Sequence, residues 1–104
     1  MYLEIKNIYL SRELRKARSL VIEDDNTDVI VKMINGDIYI ASFFSYASLN
    51  SISTKNRKKN DFLDGRFFWA SNMMLVENCT KELIDIVVYH LIEEQQFVKV
   101  FQKL

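Results

Sequence analysis

The chain has 104 residues, 49% hydrophobic and 12% aromatic, with 14 basic side chains against 14 acidic ones and a formal net charge of zero. That is enough apolar chain for one folded core and too little for two, so these 104 residues are expected to form one folded domain and not a disordered chain or two domains. The neutral balance also speaks against a nucleic-acid binder that works by bulk electrostatics.

A single cysteine, Cys79, leaves no internal disulfide framework and no cysteine-cluster metal site, and it suits a reducing compartment. The opening MYLEIKNIYL has polar residues among its apolar ones, unlike a signal peptide, and no stretch approaches the roughly 20 apolar residues of a membrane span. A soluble cytoplasmic protein is expected. With no proline and two glycines, Gly36 and Gly65, the tight turns must fall at those glycines and at clusters of Asn, Asp and Ser.

Residues 2 to 10 fit a strand by the alternation of Leu3 and Ile5, and a helix by the spacing of Leu3, Leu10, Leu14 and Ala17; a short strand or irregular lead-in is favoured. Ser11 can cap a helix carrying Leu14, Ala17 and Val21 on its apolar stripe, with Arg12, Glu13, Arg15, Lys16 and Arg18 around it. A polar loop, Glu23 to Asp28, follows. Its Asp24, Asn26 and Asp28 alternate like the start of a calcium loop, but Val29 stands where that template needs glycine and Asn35 where it needs a bidentate Glu.

Val29 to Phe43 is the strongest local signal. Asn35-Gly36 lies between two β-rich runs and is the preferred pair for a two-residue type I′ turn, in which both central residues need φ > 0. That turn sets Met33 opposite Ile38, Val31 opposite Ile40 and Val29 opposite Ser42, and Lys32 opposite Tyr39. It predicts an inward face of Val29, Val31, Met33, Ile38 and Ile40. The other face, with Ile30, Lys32, Ile34, Asp37, Tyr39 and Phe43, is mixed, and Lys32, Tyr39 and Phe43 are its candidate interface residues.

Ser45 is placed to cap a helix through Leu49 and Ile52 that frays in the basic run Lys55 to Lys59. Asp61 to Gly65 make a turn into RFFWASNMMLVEN, apolar at almost every position from Phe67 to Val76. Such a strand is buried on both faces or bent by a bulge, here at Ser71-Asn72. The clearest helix starts at the cap Thr80, runs from Lys81 to Glu94 with only a narrow polar face, and stops at Gln95-Gln96. Phe97, Val100 and Phe101 then form a last helical turn returning to the core. The order of elements predicts one α+β domain over residues 1–104, an antiparallel sheet of three or four strands with helices packed on one face.

Few of these residues form a chemical constellation. Cys79 precedes a helix N-terminus, where a thiol can become reactive, but His90 stands eleven residues along the same helix, about 16 Å away at 1.5 Å per residue. No dyad forms at that distance, and His90 with Glu93 or Glu94 supplies too few ligands for a metal. Lys55, Arg57, Lys58, Lys59 and Arg66, near Phe67, Phe68 and Trp69, resemble a charge-plus-stacking arrangement for single-stranded nucleic acid. A solvated basic loop beside a core strand is the simpler reading. No phosphate-cradling glycine loop, zinc spacing or Ser/His/Asp set is present, so neither an enzyme nor a cofactor is expected.

The combination NGDIYIASFFSY, GRFFWASNMMLVEN and LIEEQQFVKVF, across roughly residues 29 to 101, resembles a family of small bacterial single-domain proteins. The resemblance implies no activity and carries over no functional residue. The expected function is a non-catalytic protein-interaction or regulatory module, acting as a homodimer or on another protein, with an immunity role as one form it can take. The alternative is a nucleic-acid-binding accessory protein using the basic residues named above. Self-association follows from an excess of apolar side chains for one sheet face, unless the N-terminal segment folds over the open side.

Overall fold

A computed structural model describes residues 4–11, 26–59 and 69–104. The helix expected after Ser11, the acidic residues Glu23 to Asp25, the turn at Gly65, and Arg66, Phe67 and Phe68 lie outside the described residues.

The hairpin is present, with a loop one residue longer than the Asn-Gly pair predicts. Strands β2 (Asn26–Met33) and β3 (Ile38–Ser45) pair antiparallel. The Met33 amide donates to the Asp37 carbonyl at 2.8 Å and the Gly36 amide to the Met33 carbonyl at 3.0 Å. Ile34 and Asn35 are therefore the central residues of a type I turn, and Gly36, at φ 96°, supplies the left-handed residue that closes a three-residue loop with a bulge. Asn35 fixes the turn, its side-chain oxygen accepting from the Asp37 amide at 2.9 Å.

That one residue moves the register. Val31 faces Tyr39, Val29 faces Ala41, Thr27 faces Phe43 and Ile30 faces Ile40. A slip of one position exchanges the two faces of a strand, so β3 turns over relative to the expectation while β2 keeps its assignment. Tyr39 and Phe43, expected at an interface, are buried to 6% and 0% exposure; Ile38 and Ile40, expected inside, share the opposite face with Ile30 and Lys32.

Strand β1 (Ile5–Leu10) pairs antiparallel with β2 at the sheet edge. The N-terminal segment thus widens the sheet in its plane and does not fold over it. The register shifts between Ile5 and Asn7, a bulge at Lys6 that spoils the exposed edge as a template for further strands. Ser11 follows β1 directly, and its hydroxyl accepts from the Asp28 amide at 3.1 Å. Asn26 to Asp28, read from sequence as loop, are the first residues of β2.

β3 runs straight into α1 (Tyr46–Lys59), capped as expected by Ser45, whose hydroxyl accepts from the Ser48 amide at 3.1 Å. The basic run does not fray: Arg57, Lys58 and Lys59 form the last helical turn, where the helix dipole favours cations. Strand β4 (Met73–Val76) pairs with β3 in parallel, after a turn in which Asn72 has φ 52°. The place expected to bulge is this turn, and the Asn72 side-chain amide anchors it by donating to the Val100 carbonyl at 2.9 Å.

Helix α2 (Lys81–Glu93) begins at Thr80, whose hydroxyl accepts from the Leu83 amide at 3.2 Å. It ends with Gln95 at φ 59°, the Gln96 amide donating to Leu91 and the Gln95 amide to Ile92. These bonds satisfy the last carbonyls as a Schellman motif does, with glutamine where glycine is usual. One turn, α3 (Phe97–Val100), follows, and β5 (Gln102–Lys103) then pairs antiparallel with β3 beside β4.

The core lies between the sheet and these C-terminal elements. Leu10, Val29, Val31, Met33 and Val76 from the sheet meet Ile84, Val88 and Leu91 from α2. Phe97 and Phe101 stack at 4.4 Å, and the sheet presents Tyr39 edge-on to Phe97 at 5.1 Å and Phe43 to Phe101 at 5.9 Å. Such ring pairs add about 0.5–1.5 kcal/mol each beyond their buried area. The fold is α+β, a mainly antiparallel sheet with α2 and α3 on one face, as its class was expected to be; β4 adds the one parallel pairing among the described strands.

Candidate interaction surface

Strand alternation puts every second residue of the sheet on the side away from α2 and α3. The register groups these residues into rows across the strands. The middle row is Tyr9, Ile30, Ile40 and Gln102; on one side of it lie Asn7, Lys32, Ile38 and Leu104, and on the other Asp28, Ser42 and Met73. Leu104 joins its row through its amide, which donates to the Ile38 carbonyl at 2.8 Å.

This face is apolar at its centre and open. Tyr9 is 40% exposed, Ile38 36% and Leu104 71%, while Ile30, Ile40 and Met73 are half-buried and belong to no part of the core. Beyond the Asp28 row the face closes, with Phe44 buried. The charged groups on the open rows, among the described residues, are Lys32 and Asp28. Asp28 accepts from the Ser42 hydroxyl at 2.9 Å, and neither charge takes part in the ion pairs found among the described residues, Lys81 with Asp85 and Lys103 with Asp37.

Of the three interface residues expected from sequence, Lys32 alone lies on this surface; Ile38 takes the place expected for Tyr39, and Ser42 that expected for Phe43, with Ile40 between them. What hid them was the loop length, since Asn-Gly, the preferred pair for a two-residue I′ turn, also suits a three-residue loop ending in a left-handed glycine.

The other candidates do not converge. Lys55, Arg57, Lys58 and Lys59 are exposed along the second half of α1, as helix and not as the expected loop, and Arg66 lies outside the described residues. Trp69 is 67% exposed, so it is no part of a core strand. Cys79 is fully buried, its thiol directed at the Phe43 carbonyl at 3.8 Å, and so is out of reach of a solvent-borne substrate. His90 is exposed on α2, and no group of three metal-ligating side chains occurs among the described residues. A shallow cleft of about 210 Å³ lies at the closed end of the face, lined by Ser11, Asn26, Thr27, Asp28, Ser42, Phe43 and Phe44. It is smaller than the roughly 300–1,000 Å³ of a typical small-molecule site. No described helix is long and apolar enough to cross a membrane.

No family model, curated protein or solved structure matches the chain.

Proposed function

We propose that the protein is an interaction module whose working surface is the open sheet face centred on Ile30, Ile38 and Ile40. The observation that carries this reading is the difference between the two sides of the sheet. One side is filled by α2, α3 and the aromatic cluster, whereas the other presents adjoining branched apolar side chains from two central strands with Tyr9 and Leu104 beside them. Contiguous apolar surface rimmed by polar residues marks a protein-binding site more often than a solvated one. Asn7, Ser42 and Gln102 supply such a rim here. A regulatory or immunity role is a way of using that surface.

The nucleic-acid reading draws support from the exposed cations of α1 and the exposed Trp69, but the same cations suit a helix C-terminus without any ligand.

A photo-crosslinking amino acid at Ile38, compared with one at exposed Glu82 on α2, tests the proposal in cells. Adducts of defined mass from position 38 and none from position 82 are expected. Equal labelling from both positions, or none from position 38, would overturn it, and salt-sensitive retention of single-stranded RNA lost on changing Lys55, Arg57, Lys58 and Lys59 to Ser would move the assignment to α1.

A further inference from the structure

Resting on the reading of the open sheet face as the working surface, we infer that its partner is a second copy of this chain, stacked face to face about a two-fold axis perpendicular to the strands. The face is built to complement itself. An isologous contact requires that whatever stands on one side of the axis be matched by its opposite on the other. On β2, Ile30 is the midpoint between Asp28 and Lys32, two residues away in each direction. At about 3.3 Å per residue the two charges stand roughly 7 Å to either side of it.

An in-plane axis through the middle row, across the strands, lays each strand antiparallel over its own copy. Ile30, Ile40 and Tyr9 then meet their own counterparts, Lys32 of each chain lies over Asp28 of the other, and Ile38 lies over Ser42. Face-packed sheets sit about 10 Å apart with strand directions inclined by about 30°, which displaces the charges sideways by only about 3 Å. A lysine and an aspartate side chain together span such a gap. Within one chain the two charges are about 13 Å apart along the strand with Ile30 between them, so they pair with each other only across the axis. A two-fold axis running along β2 itself would put Lys32 over Lys32 and Asp28 over Asp28, where like charges repel.

The face is small. Four strands wide and three rows deep, it falls below the roughly 800 Å² per partner of a standard stable interface, so the dimer belongs to the micromolar, reversible class.

The experiment is sedimentation equilibrium on the full chain from low micromolar to several hundred micromolar, with folding of each variant checked by circular dichroism. Wild type is expected to pass from 12.3 kDa to twice that mass over this range. Lys32→Asp and Asp28→Lys are each expected to weaken association at least tenfold, and the double variant, which restores opposite charges across the axis, to return it to within about threefold of wild type. Should Asp28→Lys fail to fold, Ile30→Cys serves instead: a residue on the axis meets itself, so a short bis-maleimide is expected to link chains through position 30 and not through Glu82→Cys. A 12.3 kDa species at every concentration overturns the proposal; if position 38 still labels a foreign protein, the interaction reading survives that loss. A dimer indifferent to both single variants, or one the double variant fails to rescue, also overturns it, as does bis-maleimide linking no better at position 30 than at 82.

Discussion

The two faces of β3 are made from alternate residues of one short stretch, yet they meet opposite fates. Tyr39 and Phe43 pack against Phe97 and Phe101, and Ala41 is buried with them, while Ile38 and Ile40 stand on the uncovered side. Hydrophobicity does not separate them, because isoleucine is at least as apolar as tyrosine. What separates them is the loop before β3: three residues, not two, and an aromatic pair on the C-terminal turn that Tyr39 meets edge-on and Phe43 at a tilt. An apolar face left open beside a filled one is then a property of the register, and function is expected where the register leaves it.

The contrast is sharpest in stability. Phe97→Ala removes the centre of the ring cluster and should cost about 3–5 kcal/mol, whereas Ile38→Ala, on the open face, should cost under about 1 kcal/mol; urea unfolding at concentrations that keep the chain monomeric compares them directly. A cost at Ile38 as large as at Phe97 would mean that the second face is also core.

Gly36 tests the device that sets the register. A Cβ there meets no atom within 4 Å, so the penalty for Gly36→Ala is conformational, about 1–2 kcal/mol for a left-handed backbone at φ 96°. A neutral result in thermal unfolding would show that the loop relaxes into another turn at no cost.

Helix ends give smaller effects. Thr80→Ala should cost about 1 kcal/mol through loss of the bond to the Leu83 amide. Gln95→Gly should raise stability by about 0.5–1 kcal/mol, the relief of a left-handed glutamine partly offset by the greater freedom of glycine in the unfolded chain. A loss of stability in the glycine variant would place a packing role on the Gln95 side chain.

Much of the architecture was legible because it rests on local chemistry. Ser45 and Thr80 each carry a hydroxyl one residue before a helical pattern, and each caps the helix expected of it. The apolar stripe of α2, the stop at Gln95 and the return of Phe97 and Phe101 to the core follow from spacing within a dozen residues. What was not legible depends on partners distant in sequence. β4 pairs in parallel with β3 some thirty residues before it, a choice that a four-residue apolar run does not encode. β5 is two residues long and owes its existence to the strand beside it. The candidate surface was half legible: β2 placed Lys32 correctly, and β3 was turned over because Asn-Gly leaves the loop length open.

The register can be read directly. Hydrogen bonding at Met33 and Asp37, with the amides of Ser42 and the carbonyl of Ile38 engaged by the opposite neighbours, makes Ile30 and Ile40 a non-hydrogen-bonded pair. The α-protons of such a pair point at each other across closely spaced strands. An NMR cross-peak between the α-protons of Ile30 and Ile40, with another between Lys32 and Ile38, is predicted. Cross-peaks from Val31 to Ile40 and from Met33 to Ile38 in their place would restore the two-residue turn, bury Ile38 and Ile40, and return Tyr39 and Phe43 to the open face.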